Sequence, residues 1–522
     1  MANKTLFQTA AGRYIPAADT INEARSLAYA FTNEHALAQY AATGCLNTTF
    51  YASDGEQLVK LLSLANKVNP EFTAKTAVFC RERGFMKDTP AVLCAFLAAR
   101  APELLDKVFD RVIDNAKMLR NFVQIIRSGV VGRRSLGSRP KRLVRRWLDA
   151  RTDEALFRAS VGRSPSLADI VKMVHPKPAT PQRAALYGYL IGREHDPAAL
   201  PALVKEYEAF KKRRSDVVPD VPFQMLTSLE IQNVVWNDIA RRAPWQMTRM
   251  NLNTFARHGV FDRPEQVDMI ADRLRKRGAI AKARVFPYQL LAAYLAADDN
   301  IPWRVRDALE DAMEIAIENV PRVVGKVYVF PDISGSMHFP VSGHRRGSTS
   351  KIRCLDVAAL IAAAILRRNR DAVVMPFESD VVSVRLNPRD SVMTNAQKLA
   401  SLPCGGTNCS APLRLLNKRK AHGDLLIYVS DNESWVDGPH YGCWGGGRTA
   451  TMNEWAMFKQ RNPAARMVCI DIQPYGNTQA KERPDILNIG GFSDHVFEIL
   501  AAFAKGTLDA DHWVGCINAC RV

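Results

Sequence analysis

No run of about 18 uncharged apolar residues occurs anywhere in this 522-residue chain, so no membrane-spanning helix is expected. The opening MANKTLFQTAAGRY lacks a basic flank followed by an apolar core, the pattern of a secretory leader. Ten cysteines are scattered without a single CxxC pair, which argues against a zinc ribbon, a thioredoxin-type redox pair and a dense disulfide framework. No Ser-His-Asp order, Walker loop, HExxH pair or paired-acid motif stands in a convincing context, and these are the commonest marks of a catalytic site. The expectation is a cytoplasmic protein that is not an enzyme.

One absence is local. Between Asn115 and Leu148 there are ten Lys or Arg and no Asp or Glu. Arg133, Arg134, Arg139, Lys141, Arg142, Arg145 and Arg146 form its densest part. A solvated helix face normally mixes both signs, so an acid-free run points to phosphate. The whole chain is basic, with net charge +18 and pI near 9.5. Residues 1–320 carry 47 Lys and Arg against 35 Asp and Glu, and the remainder 24 against 18, so two thirds of the excess is N-terminal. Such a field attracts polyanions.

Hydrophobic residues at 47% and charged residues at 24% are globular values, and the length calls for two or three domains. From about Asp19 to Asn319 apolar residues recur at helical spacing. The pattern predicts helices over Ile21–Ala42, Gly55–Val68, Pro90–Ala99, Pro102–Met118, Ser166–Met173, Pro181–Ile191, Pro201–Lys212 and Pro264–Arg277. Several start at a proline, which suits a first turn whose N–H has no partner anyway. About three hundred helical residues cannot wrap one bundle core, so a stack of HEAT-like helical hairpins is expected over 1–320.

Near Pro321 the pattern changes. Short β-branched runs at Lys326–Phe330, Ala372–Phe377, Leu425–Ser430, Met467–Ile472 and His495–Ile499 alternate with helical stretches at Ile352–Arg368, Ala396–Leu402, Ala411–Asn417 and Met452–Arg461. Alternation of this kind predicts a doubly wound parallel sheet over 321–522, with ligands beyond the carboxyl ends of its strands. Three loops at those ends carry oxygen donors: Asp332, Ser334 and Ser336 after the first strand, Thr407 behind two glycines, and Asp431 after Ser430. Five hard donors with two formal negative charges suit Mg²⁺ or Mn²⁺. The set resembles the metal-ion-dependent adhesion site of von Willebrand factor A domains, and the resemblance spans most of Lys326–Phe503.

A lone histidine at a helix end most simply caps its own helix, and on spacing alone that reading of His175 stands. A wider resemblance adds to it. GRYIP at 12–16, LNTTFYAS at 46–53, VHPKP at 174–178, KARVFPYQLLAAY at 282–294, DISGSM at 332–337, GGTNCSAPL at 405–413 and SDNES at 430–434 together resemble the Ro autoantigen family, the TROVE-module proteins, and its bacterial members in particular. The resemblance implies a monomeric ring of HEAT-like repeats closed by the A-type domain. It implies Y RNA on an outer basic face, with Arg158, Arg163, Lys172 and His175 among the contacts, and single-stranded ends of misfolded noncoding RNA in the central hole. An exoribonuclease such as polynucleotide phosphorylase, tethered through Y RNA, is implied as a partner. Asn408, where relatives can have an acid, and apparent insertions at 338–351 and 442–447 depart from the family pattern. The competing expectation is a metal-dependent protein-adhesion module with the helices as scaffold.

Overall fold

The computed structural model describes residues 15–43, 46–215, 217–229, 231–283, 287–318, 320, 322–344, 352–436, 447–491, 494–508 and 512–522. The first stretch corrects the sequence reading. Instead of one helix over Ile21–Ala42, strands β1 (Thr20–Ile21) and β2 (Leu27–Ala30) precede a helix over Asn33–Thr43. Two local hydrogen bonds explain the turn: the Asn22 side chain accepts from Ser26 N at 2.8 Å and its carbonyl from Arg25 N at 2.9 Å, with Arg25 at a left-handed φ of 60°. β2 then pairs antiparallel with a strand more than four hundred residues away, a partner that no local period can announce.

Beyond it the helices start at local capping signals. Ser53 and Glu56 form a capping box at the start of Asp54–Lys67, Asn69 and Pro70 begin Pro70–Glu82, and Ser166 with Asp169 form a second box for Leu167–Val174. Each satisfies amide donors that a helix start leaves orphaned. The expected Pro102–Met118 helix is two helices, Pro102–Val112 and Ala116–Ser128, because the Asn115 side chain accepts from Met118 N and starts a new first turn. The Ser138–Asp149 helix shows the amphipathic rule at work. Leu143, Val144, Trp147 and Leu148 are buried while Arg142, Arg145 and Arg146 are exposed. Trp147 is 2% exposed and donates its indole N–H to Ile113 O at 2.7 Å, locking neighbouring hairpins together.

The second half contains a five-stranded parallel sheet in the order β4 (Val373–Val374), β3 (Val327–Pro331), β5 (Leu425–Ser430), β6 (Arg466–Asp471), β8 (Ile486–Gly490). Every residue of β3, β5 and β8 is buried, as both-face coverage by helices requires. Two expectations fail here. His495–Ile499 lies in a helix, Asp494–Ala504, and the true edge strand is β8. The β-branched cue was shared by both segments, and only length separates an eleven-residue helix from a five-residue strand. The Ala372–Phe377 run narrows to β4, which ends before Pro376.

The helical region meets this domain at both of its ends. β7 (Asn477–Thr478) receives β2 through Tyr29↔Thr478 and Ala30↔Asn477. The Asn33–Thr43 helix packs on β8 and on the C-terminal His512–Asn518 helix. At the far end, Glu314 of the Trp303–Ala316 helix pairs with Arg367 at 3.0 Å and accepts from Val392 N at 2.9 Å. The helices therefore form a circuit closed by the sheet domain. No helix among the described residues is long and apolar enough to cross a membrane.

Trp147→Ala should cost about 3–5 kcal/mol through the cavity and the lost indole bond, read as a lower midpoint in denaturant unfolding. Trp303→Ala, at a side chain 71% exposed, should change stability by less than about 0.5 kcal/mol.

Candidate metal centre and basic face

The candidate metal centre is assembled by backbone geometry at the carboxyl ends of β3 and β5. Pro331 has no N–H, so the ladder skips one donor and resumes at Asp332, whose N–H donates to Val429 O at 3.0 Å. This fixes where the Asp332 side chain starts. Its Oδ1 accepts from Ser334 N at 2.8 Å and its Oδ2 from Ser430 Oγ at 2.6 Å. Ser334 Oγ and Ser336 Oγ lie 3.4 Å apart. Gly335 N donates to Gly405 O at 3.0 Å and Trp435 N to Thr407 O at 3.1 Å, which binds the three loops to each other. Asp332, Ser334, Ser336, Thr407 and Asp431 are all buried.

Two acids here lack a cationic partner among the described residues. Burial, and then the neighbouring Asp431 charge, push Asp332 up to about 7. Burial likewise raises Asp431, against an opposing hydrogen bond from Ser336. Buried like charges without compensation are costly, and an all-oxygen donor set of two carboxylates and hydroxyls fits a hard divalent cation. Among the described residues no three His, Cys, Asp or Glu side chains converge on a point, so an ion here relies on the hydroxyls. Asp332, Ser334, Ser336 and Asp431 would hold it, with the Thr407 loop brought alongside. Such an ion would supply an open coordination position for an anionic oxygen.

Three further groups at this centre escaped the sequence reading. Tyr51, from LNTTFYAS, lies within hydrogen-bonding reach of Ser336 and packs edge-on against Tyr475 at 5.3 Å. Glu433 accepts from Glu23 N at 2.7 Å, while Asn22 Nδ2 donates to Ser434 O at 2.6 Å. Burial raises Glu433 and Asp471 well above the usual carboxylate range. SDNES and LNTTFYAS were visible as motifs, but nothing in either reports contact across the chain. Asn408 braces its loop, donating to Ser379 O at 3.1 Å and accepting from Ser410. Residues 345–351 and 442–446 of the two apparent insertions lie outside the described residues.

The basic run reads differently in space. Arg139 pairs with Asp106 at 3.3 Å and reaches Glu103 at 4.0 Å, Arg142 pairs with Asp106 at 3.3 Å, and Arg146 pairs with Asp110 at 2.7 Å. The acids come from the packed Pro102–Val112 helix, so a run free of acids in sequence is partly neutralised by its neighbour. Arg133 is committed internally, donating to Ser135 O, Leu136 O and Ala98 O at 3.0, 2.7 and 2.8 Å. Arg134 is exposed and Lys141 half-buried, and neither makes an ion pair among the described residues.

Of the residues named from family resemblance, Lys172 lies near the end of the Leu167–Val174 helix, and His175 is that helix's left-handed C-cap with φ 48°. Its N–H donates to Val171 O at 3.0 Å, so the capping role holds while the ring faces outward. Arg163 sits exposed in the loop before this helix, and Lys172 and His175 are exposed as well. Arg127 of Ala116–Ser128, a helix packed on this one, and Lys172 both act on the charge of Asp169. Arg158 stands apart, paired with Asp220 at 2.7 Å.

Residues 326–504 match the family model of the Ro60 vWA domain. The C-terminal domain belongs to the Ro60 vWA family. The likeness to Ro proteins extends over the rest of the chain, which is 24% identical over 532 aligned residues to RNA-binding protein RO60 of Deinococcus radiodurans, covering 93% of this chain and 95% of that protein. The crystal structure of the Deinococcus radiodurans Ro protein superposes with a TM-score of 0.63 at 20% identity, over 91% of this chain and all of the other. The Ro fold of a helix-rich N-terminal region with a C-terminal vWA sheet is thus common to both.

The raised Asp332 value gives a signed expectation. Its folded value lies near 7 and its unfolded value near the ordinary ~3.9, so the folded state binds the proton more tightly. That contribution favours the fold below the unfolded value and is lost as pH rises through 7. In EDTA the thermal midpoint should therefore fall between pH 6 and pH 8, and millimolar MgCl₂ should restore it at pH 8. Asp332→Asn should flatten both responses; a variant that keeps the wild-type magnesium effect would contradict the centre.

Proposed function

We propose that this chain is an RNA-binding protein of noncoding-RNA quality control. Exposed Arg127 and Lys172 on the packed Ala116–Ser128 and Leu167–Val174 helices, with Arg163 and Lys177 in the loops that flank the second helix, take the phosphates of a structured RNA of the Y RNA class on the outer surface, and the exposed His175 ring lies within this group. Unpaired ends of misfolded RNA enter the opening of the closed helical circuit. The observation that carries the reading is this exposed basic cluster; Asp169, the acid on which Lys172 and Arg127 act, is engaged in capping its own helix. Its description as an RNA-binding protein makes the Deinococcus relative a second support.

The remaining assignments belong to the same proposal. A-form RNA hides its bases in a deep groove, so backbone contact gives affinity while loops and ends give selectivity. The protein acts as a cytoplasmic monomer without turnover of its own. It holds Mg²⁺, or Mn²⁺, at Asp332 and Asp431, and RNA tethers it to an exoribonuclease such as polynucleotide phosphorylase. The uncompensated acid pair also favours a second reading, in which the metal recognises an acidic protein and the helices are scaffold. A magnesium-dependent partner that survives ribonuclease treatment would support that reading over ours.

Filter binding of a structured RNA should weaken steeply with salt. Arg163→Ala combined with Lys172→Ala should lower the magnitude of the log–log salt slope by about 1.5–2. An unchanged slope and affinity would move the binding surface elsewhere.

A further inference from the structure

A cavity of about 660 Å³ opens in the helical region, well apart in sequence from the metal loops. One wall is the extended segment 218–222 with the short Phe223–Leu226 helix; the other is the end of Asn233–Arg242 with Trp245–Met250. Pro219, Pro222 and Pro244 keep both walls rigid and remove backbone donors that an apolar ligand would leave unpaired. Phe223 is held edge-on by Trp236, with centroids 5.7 Å apart. Met247 lines the same space, and Met250 stands 67% exposed at its edge.

The lining also carries two guanidiniums and two amides. Arg158 and Arg242 line it, together with Gln224 and Gln246. Arg242 donates one N–H to Val218 O at 2.7 Å, leaving the rest of its fork. Arg158 is engaged by Asp220, through Nε to its carbonyl at 2.9 Å and Nη2 to its carboxylate at 2.7 Å. That carboxylate is 88% exposed, and an ion pair so open to water contributes little. A phosphate, which matches the guanidinium fork, can take its place.

Apolar, polarisable surfaces, amides able to read a base edge and a cation for the adjoining phosphate are the requirements of an unstacked nucleobase. The volume lies within the range of small-molecule sites. Arg158 lies in the last turn of the Asp153–Ala159 helix, and the loop that follows it carries the exposed Arg163, so one short stretch of chain joins the cavity to the basic cluster. We propose that this cavity takes an unpaired base of single-stranded RNA, with its phosphate displacing Asp220 from Arg158. The proposal rests on the RNA-binding reading above and adds to it a base-specific pocket.

The full chain would be titrated by fluorescence anisotropy with a ten-residue oligoadenylate and with a ribose-phosphate decamer that lacks bases. Oligoadenylate should bind roughly 5- to 100-fold more tightly, the range for one stacked base. Met250→Ala, at an exposed side chain, should weaken oligoadenylate roughly fivefold and leave the abasic decamer unchanged. Asp220→Asn should tighten both. Equal binding of the two decamers by the wild type, or a Met250→Ala variant that affects both alike or neither, would overturn the pocket while RNA binding stands. If neither decamer nor a structured RNA binds, both readings fall.

Discussion

The pairing of β2 with β7 is the contact on which the architecture turns. A stack of helical hairpins gains stability from nearest neighbours only and has no intrinsic end. Here the first hairpin is preceded by a strand that crosses to the sheet domain, and the last helix is fixed to that domain through Glu314, Arg367 and Val392. Neither terminus of the stack is left as an uncapped apolar face. The C-terminal His512–Asn518 helix completes the join by packing on both the Asn33–Thr43 and Pro70–Glu82 helices.

Closure and the candidate metal centre share residues. The N-terminal segment that makes the strand also places Asn22 against Ser434 and Glu23 against Glu433, and a little further on it supplies Tyr51 near Ser336. The loops that gather oxygen donors are therefore braced from outside their own domain. A vWA sheet cut out at Lys326 would keep Asp332 and Asp431 but lose these supports, which ties the geometry of the centre to an intact helical region.

Much of this was legible, for physical reasons that differ by element. Apolar spacing, with a proline at the first turn of one of them, marked Pro181–Ile191 and Leu167–Val174 almost to the residue, because helical period and helix starts are local chemistry. The donor loops were legible because strand alternation puts every carboxyl end at one edge. Two errors share one cause, which is that the deciding partner lay elsewhere in the chain: β2 needed β7 and β8 needed β6. The acids of Pro102–Val112 that pair with the arginines of Ser138–Asp149 were hidden from the local run for the same reason. The split at Asn115 is different, since its capping amide was local and was overlooked within a continuous apolar period. As for the 158–175 segment, only family likeness pointed to it, because exposed single side chains in loops and at a helix end leave no periodic signal.

Arg133 carries a lesson for any attempt to chart the basic surface by substitution. Its guanidinium spans three main-chain carbonyls belonging to two segments, a task that an ammonium cannot reproduce because it lacks the planar fork. Replacing it would loosen the turn between two helices and lower RNA affinity indirectly, so a scan scored by binding alone would credit a girder with the work of a hand.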